Sequence, residues 1–558
     1  MESRLRAEVV VVGGGPVGML LAAELGERGV RTVVLEALAT VCERPKARVL
    51  HARALQGLVR RGYLTELVPR ADSGEAERGM PFRFGGVPGL TLTVPAWEPG
   101  PVLRKPQADL ERLFERRARA AGVRILREHR VARVLEMGET VQVVAEGPSG
   151  LVEFAASYVV GADGGRGVVR ELAGVPSRSW AATASGLAGL VHFDGGERWD
   201  GVEAGWHRTE RGWLVVHDFP GEGTFVRTLD CSGPHGDRRV PPTASELQEE
   251  VCRIAGREIR LGPVRWLSRF SDFARLAESF RWGRVFLAGD AAHVHFPVGA
   301  QGLSLGVQDA LNLGWKLALV VRGRAGDGLL DTYDAERRPA ARRVMENVSE
   351  QLELMRFQPE AVVDADADAD ADALRGLFAG AGAGAGARAG AGAVGGCGGG
   401  QGGRNLSGLI SGQDVVLPGC EEGGSGWEGR FLPNAPLRTA AEGDSDVIGL
   451  LRSGSWLLLC SGAEGGRYAR LAGIWGDAVR TVRLKPGGGM PCGALLVRPD
   501  GYVVWASAAR PGPGSVEEVS ARLAGVLGRY LGGRPSRSPA LRRASAGARL
   551  GVRAGVAS

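Results

Sequence analysis

A β-branched run, Val9–Val12, leads directly into Gly13-x-Gly15-x-x-Gly18, and an apolar segment with Leu20, Leu21, Ala23 and Leu25 at helical spacing follows. The order strand, glycine turn, helix gives each glycine a physical role. Gly13 permits the tight turn, Gly15 lets the backbone approach a pyrophosphate, and Gly18 lets helix and strand pack closely. The helix N-terminus, which begins with Pro16, favours the phosphate charge. Arg31–Glu36 reads as a second strand. Glu36 ends it about 20 residues after the glycines, where a carboxylate binds adenosine ribose hydroxyls. This βαβ unit predicts a parallel, doubly wound sheet and a bound dinucleotide, without separating FAD from NAD.

The segment Arg284–Ala318 narrows the choice. A buried strand, Val285–Ala288, ends at Gly289-Asp290, where a carboxylate can hold a ribityl hydroxyl. The loop to Gly302 is rich in glycine, so backbone can lie against a flat ring. The helix beginning near Leu303 favours negative charge at the pyrimidine end of an isoalloxazine. His293 and His295 have H-x-H spacing but no third ligand, and no metal site is expected. A third motif, Tyr158–Arg170, runs strand, Asp163-Gly164, short helix.

In this order and spacing the three motifs resemble those of the single-component FAD-dependent aromatic hydroxylases, over about Ala7–Phe357. Within that family the likeness is to aromatic polyketide (anthracycline and angucycline) hydroxylases of antibiotic biosynthesis and to rifampicin monooxygenases. The resemblance implies a Rossmann-like FAD-binding domain (1–180 and 281–358) with an inserted antiparallel substrate sheet (181–280). It also implies a C-terminal thioredoxin-like α/β domain (405–533) without redox cysteines, carried by FLPNAPL and ALLVRPDGYVVW. Residue by residue it assigns Gly13, Gly15, Pro16, Gly18 and Glu36 to the ADP moiety. Gln107, Asp163, Gly164, Gly289 and Asp290 go to the ribityl region and its NADPH-linked neighbour. Pro297, Gly299, Gln301, Gly302 and Leu303 go to the loop over the flavin ring. The chain departs from the family pattern at Lys46, Val49, Gly167, Ala300 and Ser304, where Arg, Gly, Ser, Gly and Asn are usual.

The implied reaction consumes NADPH (or NADH) and dioxygen. A flavin C4a-hydroperoxide delivers electrophilic oxygen to an electron-rich ring, and the protein supplies positioning and solvent exclusion. Arg48 stands near the expected flavin edge, as a cation for a phenolate or as a surface ion pair. Pro297 opens the loop that keeps water out. Trp206, Trp213 and Phe225 line the substrate pocket or pack the core. A Baeyer–Villiger oxygenase, another flavin oxidoreductase and a nonenzymatic flavin-binding protein are the alternatives. A halogenase would carry W-x-W-x-I-P, which is absent.

The net charge of +6 matches the six arginines of the tail 534–558, which holds no acid. The basic balance therefore indicates a disordered tail rather than a nucleic-acid surface. Residues 359–404 form a linker, with its repetitive DADADADAD and GAGAGAGARAGAGA stretches at 364–403. None of the seven cysteines has C-x-x-C spacing, and no apolar run approaches a membrane span, so a reducing cytoplasm is expected. The expected partner is a small aromatic molecule, with neither nucleic acid nor membrane, and the protein a monomer or homodimer.

Overall fold

The strand predicted at Val9–Val12 extends over Leu5–Val12 in the computed structural model, which describes residues 5–68, 77–192, 204–233, 240–357, 405–418, 425–441, 443–485, 492–507 and 516–532. The repetitive stretch 364–403, the tail 534–558, Cys397 and Cys420 lie outside these residues.

Leu5–Val12 is the middle of a parallel array. Thr32–Leu35 lies on one side of it and Gly150–Gly161 on the other, with Val285–Leu287 beyond. The register aligns Val12 with both Leu35 and Gly161, and Gly161 with Leu287. Four strands therefore end along one line, and the three sequence motifs and Glu36 emerge side by side at their carboxyl ends, where open α/β sheets bind ligands. Arg124–Leu126 extends the array beyond Thr32–Leu35, and the hairpin Arg130–Met137/Thr140–Gly147 pairs antiparallel with the start of Gly150–Gly161.

Glycines set the close approaches. Gly13 has φ +103°, and a Cβ there would lie 2.4 Å from Ala162 O. A Cβ on Gly18 would lie 2.0 Å from Gly13 O, so the helix Pro16–Gly26 can sit this close to the turn only with glycine. Gly306 and Gly314 do the same for the helix Gly302–Val321, against Val17 and Glu24 of the first helix.

The insert is a five-stranded antiparallel sheet in the order Gly205–Thr209, Gly212–Phe219, Gly223–Leu229, Ser185–Val191, Val264–Ser271. Strand alternation sorts its two faces. Leu214, Val216, Val226 and Leu187 bury against the helix Ala244–Ala255, which a Thr243/Glu246 capping box starts. Trp213, Val215, Phe225 and Arg227 take the other face.

The chain divides into two compact units, Met1–Val321 with Leu330–Val416, and Arg322–Leu329 with Leu417–Ser558. The sequence reading began the second domain at 405, but 405–416 belong to the first unit. Asn405 caps the helix Leu406–Ser411 by accepting the Gly408 N–H (2.8 Å), and Ile410 packs with Phe84 and Leu92 in the first unit's core.

The second unit contains a four-stranded mixed sheet, Val479–Arg483, Trp456–Cys460, Ala494–Val497, Val503–Ala506, together with the helices Gly462–Ala472 and Val516–Leu531. The turn predicted at Pro499-Asp500-Gly501 is present, with Gly501 at φ +90° and its N–H donating to Arg498 O. Cys460 and Cys492 are buried free thiols. Burial pushes both upward, Cys492 to about 12, so neither is a thiolate at neutral pH.

The glycine geometry separates two roles. Gly18→Ala should lower the urea midpoint by an amount equivalent to about 1–3 kcal/mol, because its methyl meets fixed backbone. Gly15→Ala should leave the midpoint of the cofactor-free protein nearly unchanged, since nothing lies within 4 Å of a Cβ there.

Candidate active site

The first strand's end offers a cradle for a pyrophosphate. Gly15, at the N-cap of Pro16–Gly26, has no side-chain cap and open space where a Cβ would point, so the first N–H groups of the helix face outward. Glu36 curls under this turn, accepting the Gly14 N–H (2.5 Å) on one oxygen and the Leu38 N–H (2.7 Å) on the other. Each oxygen keeps a second lone-pair site for a ribose hydroxyl.

The neighbouring strand ends carry two more carboxylates. Asp163 Oδ2 accepts the N–H groups of Val168 (2.6 Å) and Val169 (3.0 Å), while Oδ1 is buried without a partner. Burial raises the Asp163 pKa despite those backbone bonds. The departure at Gly167 is explained here, because a Cβ would lie 2.2 Å from the Asp163 carboxyl. Asp290, across from Gly165, is exposed, and among the described residues its carboxylate has no hydrogen-bond partner. These donors and acceptors fit a flavin dinucleotide: free N–H groups for phosphate at the first strand, and unengaged carboxylate oxygens for hydroxyls at the next two.

The Gly289-Asp290 turn is held from below by Asp309, which the sequence reading missed. The buried Asp309 carboxylate accepts the Gly289 N–H (3.0 Å), His293 Nε2 (2.8 Å) and Arg337 Nε (2.8 Å). Burial alone would raise its pKa, but Arg337 and His293 outweigh that and hold it low. His293 is thus committed to Asp309, and among the described residues no group of three or more potential metal ligands occurs.

The loop 297–303 is pinned rather than loose. Gly299 has φ +72°, and its carbonyl accepts His51 Nε2–H at 2.8 Å. Ser304 Oγ accepts the His51 backbone N–H (2.9 Å), which gives the serine at this departure a job. Ala300 occupies the left-handed region at φ +53°, a conformation that costs a residue with a Cβ about 1–2 kcal/mol. Pro297 is exposed, Leu303 is buried, and the Gly302 Cβ direction faces His295 at 3.4 Å. The Gln301 side chain points away from the loop's outer face. It donates to Leu409 O and Ile410 O and accepts from Asn347, leaving only its backbone for a cofactor.

Between this loop and the insert lies an aromatic wall. Phe296 meets Phe270 (ring centroids 5.8 Å), and Phe225 stacks on Trp266 (6.2 Å) and tilts against Phe219 (6.0 Å). The Arg48 guanidinium lies 4.0 Å above the Phe219 ring and is ion-paired with Glu222. Arg48, Gln107 and Glu222 also line a cavity of about 250 Å³ with Lys46 and Arg44. Of the three aromatic residues predicted for the pocket, Phe225 belongs to this wall. Trp213 is only 1% exposed and packs in the core, its Nε1–H donating to Met355 O (2.8 Å), with Trp206 edge-on to it at 6.1 Å. Phe219, Trp266, Phe270 and Arg227 went unpredicted; the two-residue alternation beside Phe225 was the available signal.

Comparison with known proteins agrees with this geometry. Residues 6–348 match the family described as FAD binding domain, and 425–532 match the aromatic-ring hydroxylase C-terminal family. The 12-dehydrotetracycline 5-monooxygenase/anhydrotetracycline 6-monooxygenase of Streptomyces rimosus is 35% identical over 91% of this chain and 97% of its own. Rifampicin monooxygenase of Streptomyces venezuelae is 39% identical over 63% of this chain and 72% of its own. Among solved structures, CabE, an aromatic hydroxylase from angucycline biosynthesis, superposes with TM-score 0.77 at 31% identity, covering 95% of this chain and all of that one. The chain belongs to the FAD-dependent aromatic-ring hydroxylases, as the motif resemblance implied, and is a flavin-dependent monooxygenase of the polyketide hydroxylase type. No helix among the described residues is long and apolar enough to cross a membrane.

His51 makes the loop acid-sensitive. Burial lowers its pKa to about 4, against the Gly299 hydrogen bond that raises it, so it is neutral in the folded protein. Between its ordinary value near 6.5 and about 4, the unfolded chain binds a proton that the folded chain does not. Stability therefore falls as pH drops through that window, by about 3 kcal/mol when complete. His51→Gln should remove this part of the slope, read as unfolding free energy against pH from 7 to 4.

Proposed function

We propose that the enzyme uses NADPH and dioxygen to place one oxygen atom on a flat, multi-ring phenol or quinone of the polyketide kind. The observation that carries this reading is the run of five aromatic rings, Phe219, Phe225, Trp266, Phe270 and Phe296, between the insert and the loop 297–303, a surface chemistry suited to a planar apolar ligand. A relative named for oxidising tetracycline precursors and a neighbour from angucycline biosynthesis support the same substrate class.

FAD, when bound, would supply the redox chemistry that couples NADPH and dioxygen to oxygen transfer. Gly13, Gly15, Pro16, Gly18 and Glu36 would hold its ADP portion. Asp290, Gly289, Gln107, Asp163 and Gly164 would hold the ribityl chain and its surroundings. Gly299, Gly302, Leu303 and the backbone of Gln301 would face the ring. Pro297 would close the loop against water. Arg48, its charge already paired with Glu222, orients the substrate from beside Phe219 at one end of the wall. Phe225, with Trp206 further along the sheet, contacts the substrate, and Trp213, buried on the same face, packs beside Phe296 and steadies that end of the wall. The C-terminal unit serves packing or association, in a monomer or homodimer.

The test is aerobic turnover of the flavin-loaded enzyme with NADPH, isotopically heavy dioxygen and a panel of phenols from one ring to four. The expected product gains one heavy oxygen atom and keeps its aromatic ring, and omission of substrate leaves NADPH oxidation slow or diverted to hydrogen peroxide. Asp290→Ala should lose most of its FAD. Preferred turnover of one-ring phenols, a ring-expanded lactone, or a product of unchanged mass would each overturn the reading.

A further inference from the structure

We propose that Arg227 receives an oxyanion of the substrate, either the phenolate of a hydroxylated ring or the enolate of a hydroxyquinone. The inference rests on the polycyclic substrate class argued above and names the group that selects within it.

Arg227 stands on Gly223–Leu229, opposite Val215 of the adjacent strand and on the same face as Phe225. Its guanidinium carbon lies 5.4 Å from the Phe225 ring and 5.5 Å from the Phe270 ring. Phe270 reaches Phe296 at the flavin loop, and Phe225 reaches Phe219 beneath Arg48. Arg227 thus sits midway along the wall, between the loop and Arg48.

Its charge is uncompensated. Nε is buried without a partner, and among the described residues no carboxylate pairs with the guanidinium. Arg227 is half-buried; four fully buried guanidiniums of the fold are each ion-paired, Arg60 with Glu98, Arg61 with Glu24, Arg337 with Asp309 and Arg498 with Asp500. Burial lowers the Arg227 pKa only to about 10, so it remains a cation at neutral pH.

The charged groups nearby do not neutralise it. His217, diagonal to it across the strand pair, has its pKa lowered by burial and by Arg227 and Arg104, so it stays neutral. Arg104 adds positive charge from the strand Val102–Arg104. Asp218 accepts the Thr224 hydroxyl at 2.7 Å, and Glu222 is engaged by Arg48. The two aromatic rings offer their faces to the cation but no hydrogen-bond acceptor. A planar ligand against Phe225 and Phe270 would bring an edge oxygen to the guanidinium, and an anionic oxygen supplies both the missing charge and the missing acceptor.

The test uses the FAD-loaded enzyme without NADPH, so that nothing turns over. The probes are alizarin, a dihydroxyanthraquinone whose absorption moves to longer wavelength on ionisation, and unsubstituted anthraquinone. The wild-type enzyme should bind ionised alizarin about tenfold or more tightly than neutral alizarin, lowering the dye's apparent ionisation pH by about one unit or more. Arg227→Met, with its FAD intact, should lose that preference and bind anthraquinone as before, and Arg227→Lys should keep most of it. Retention of the full preference in Arg227→Met overturns the assignment. So does a wild-type enzyme that binds both dyes without preferring the anion, a result that needs no variant to fold. If the wild-type enzyme binds neither dye, the polycyclic substrate class fails, and the Arg227 assignment with it.

Discussion

The three bonds to the buried Asp309 carboxylate are the joint on which the candidate site depends. They fix the Gly289-Asp290 turn through a backbone N–H, the segment leading into the loop 297–303 through His293, and the helix Asp331–Phe357 through Arg337. A buried carboxylate costs several kcal/mol in lost hydration unless charge and hydrogen bonds compensate it. Here they do, and the compensated group specifies one arrangement of three chain segments. Asp290 owes its freedom to this arrangement: Asp309 performs the structural task at the strand end, and its neighbour keeps an unengaged carboxylate turned outward.

Much of the first unit was legible because its signals are local. Gly13, Gly15 and Gly18 have roles set within six residues, and the register that lines up Val12, Leu35, Gly161 and Leu287 explains why motifs far apart in sequence meet. Asp309 was not legible, because it lies inside a helix where an acid ordinarily faces solvent, and only the tertiary packing of His293 and Arg337 reveals its task. Gln301 was misdirected for a similar reason. Its motif position suggests the cofactor, yet its side chain is consumed by Leu409, Ile410 and Asn347. The segment that claims it, 405–416, follows a repetitive stretch that offered no hint of a return to the first unit. Arg53 is drawn into the same contact, donating to Gly412 O and Gln413 O.

Three of the five departures from the family pattern become coherent once placed. Gly167 yields the space that the Asp163 carboxyl occupies, and Ser304 takes up the His51 N–H. Ala300 is different, because its methyl is carried in a left-handed conformation that glycine adopts freely. The surrounding bonds hold it there: Gly299 through His51, and Gln301 through the returning helix. The loop 297–303 is thus fastened by groups outside the motif, and stiffness of that kind would suit the water-excluding role proposed for it.

The two arginines of the chamber show why residue type alone could not assign its chemistry. From sequence, Arg48 was the natural candidate for an anionic oxygen, since it lies near the expected flavin edge. Paired with Glu222, it presents an approaching anion with little more than a dipole, and that partner would have to be displaced or accommodated. Arg227, lying within a strand of alternating residues, gave no such signal, yet its environment supplies aromatic faces and withholds a carboxylate. Cation–π contacts of about 0.5–2 kcal/mol each offset part of the cost of desolvating the guanidinium but leave its hydrogen-bonding capacity unspent. At an effective dielectric near 20, a full anion about 4 Å away is worth on the order of 4 kcal/mol, more than either ring contributes. On the proposed reading the wall would favour a ligand that is flat along most of its length and negative at one point, a combination that follows from the partners of the two cations and not from their identity.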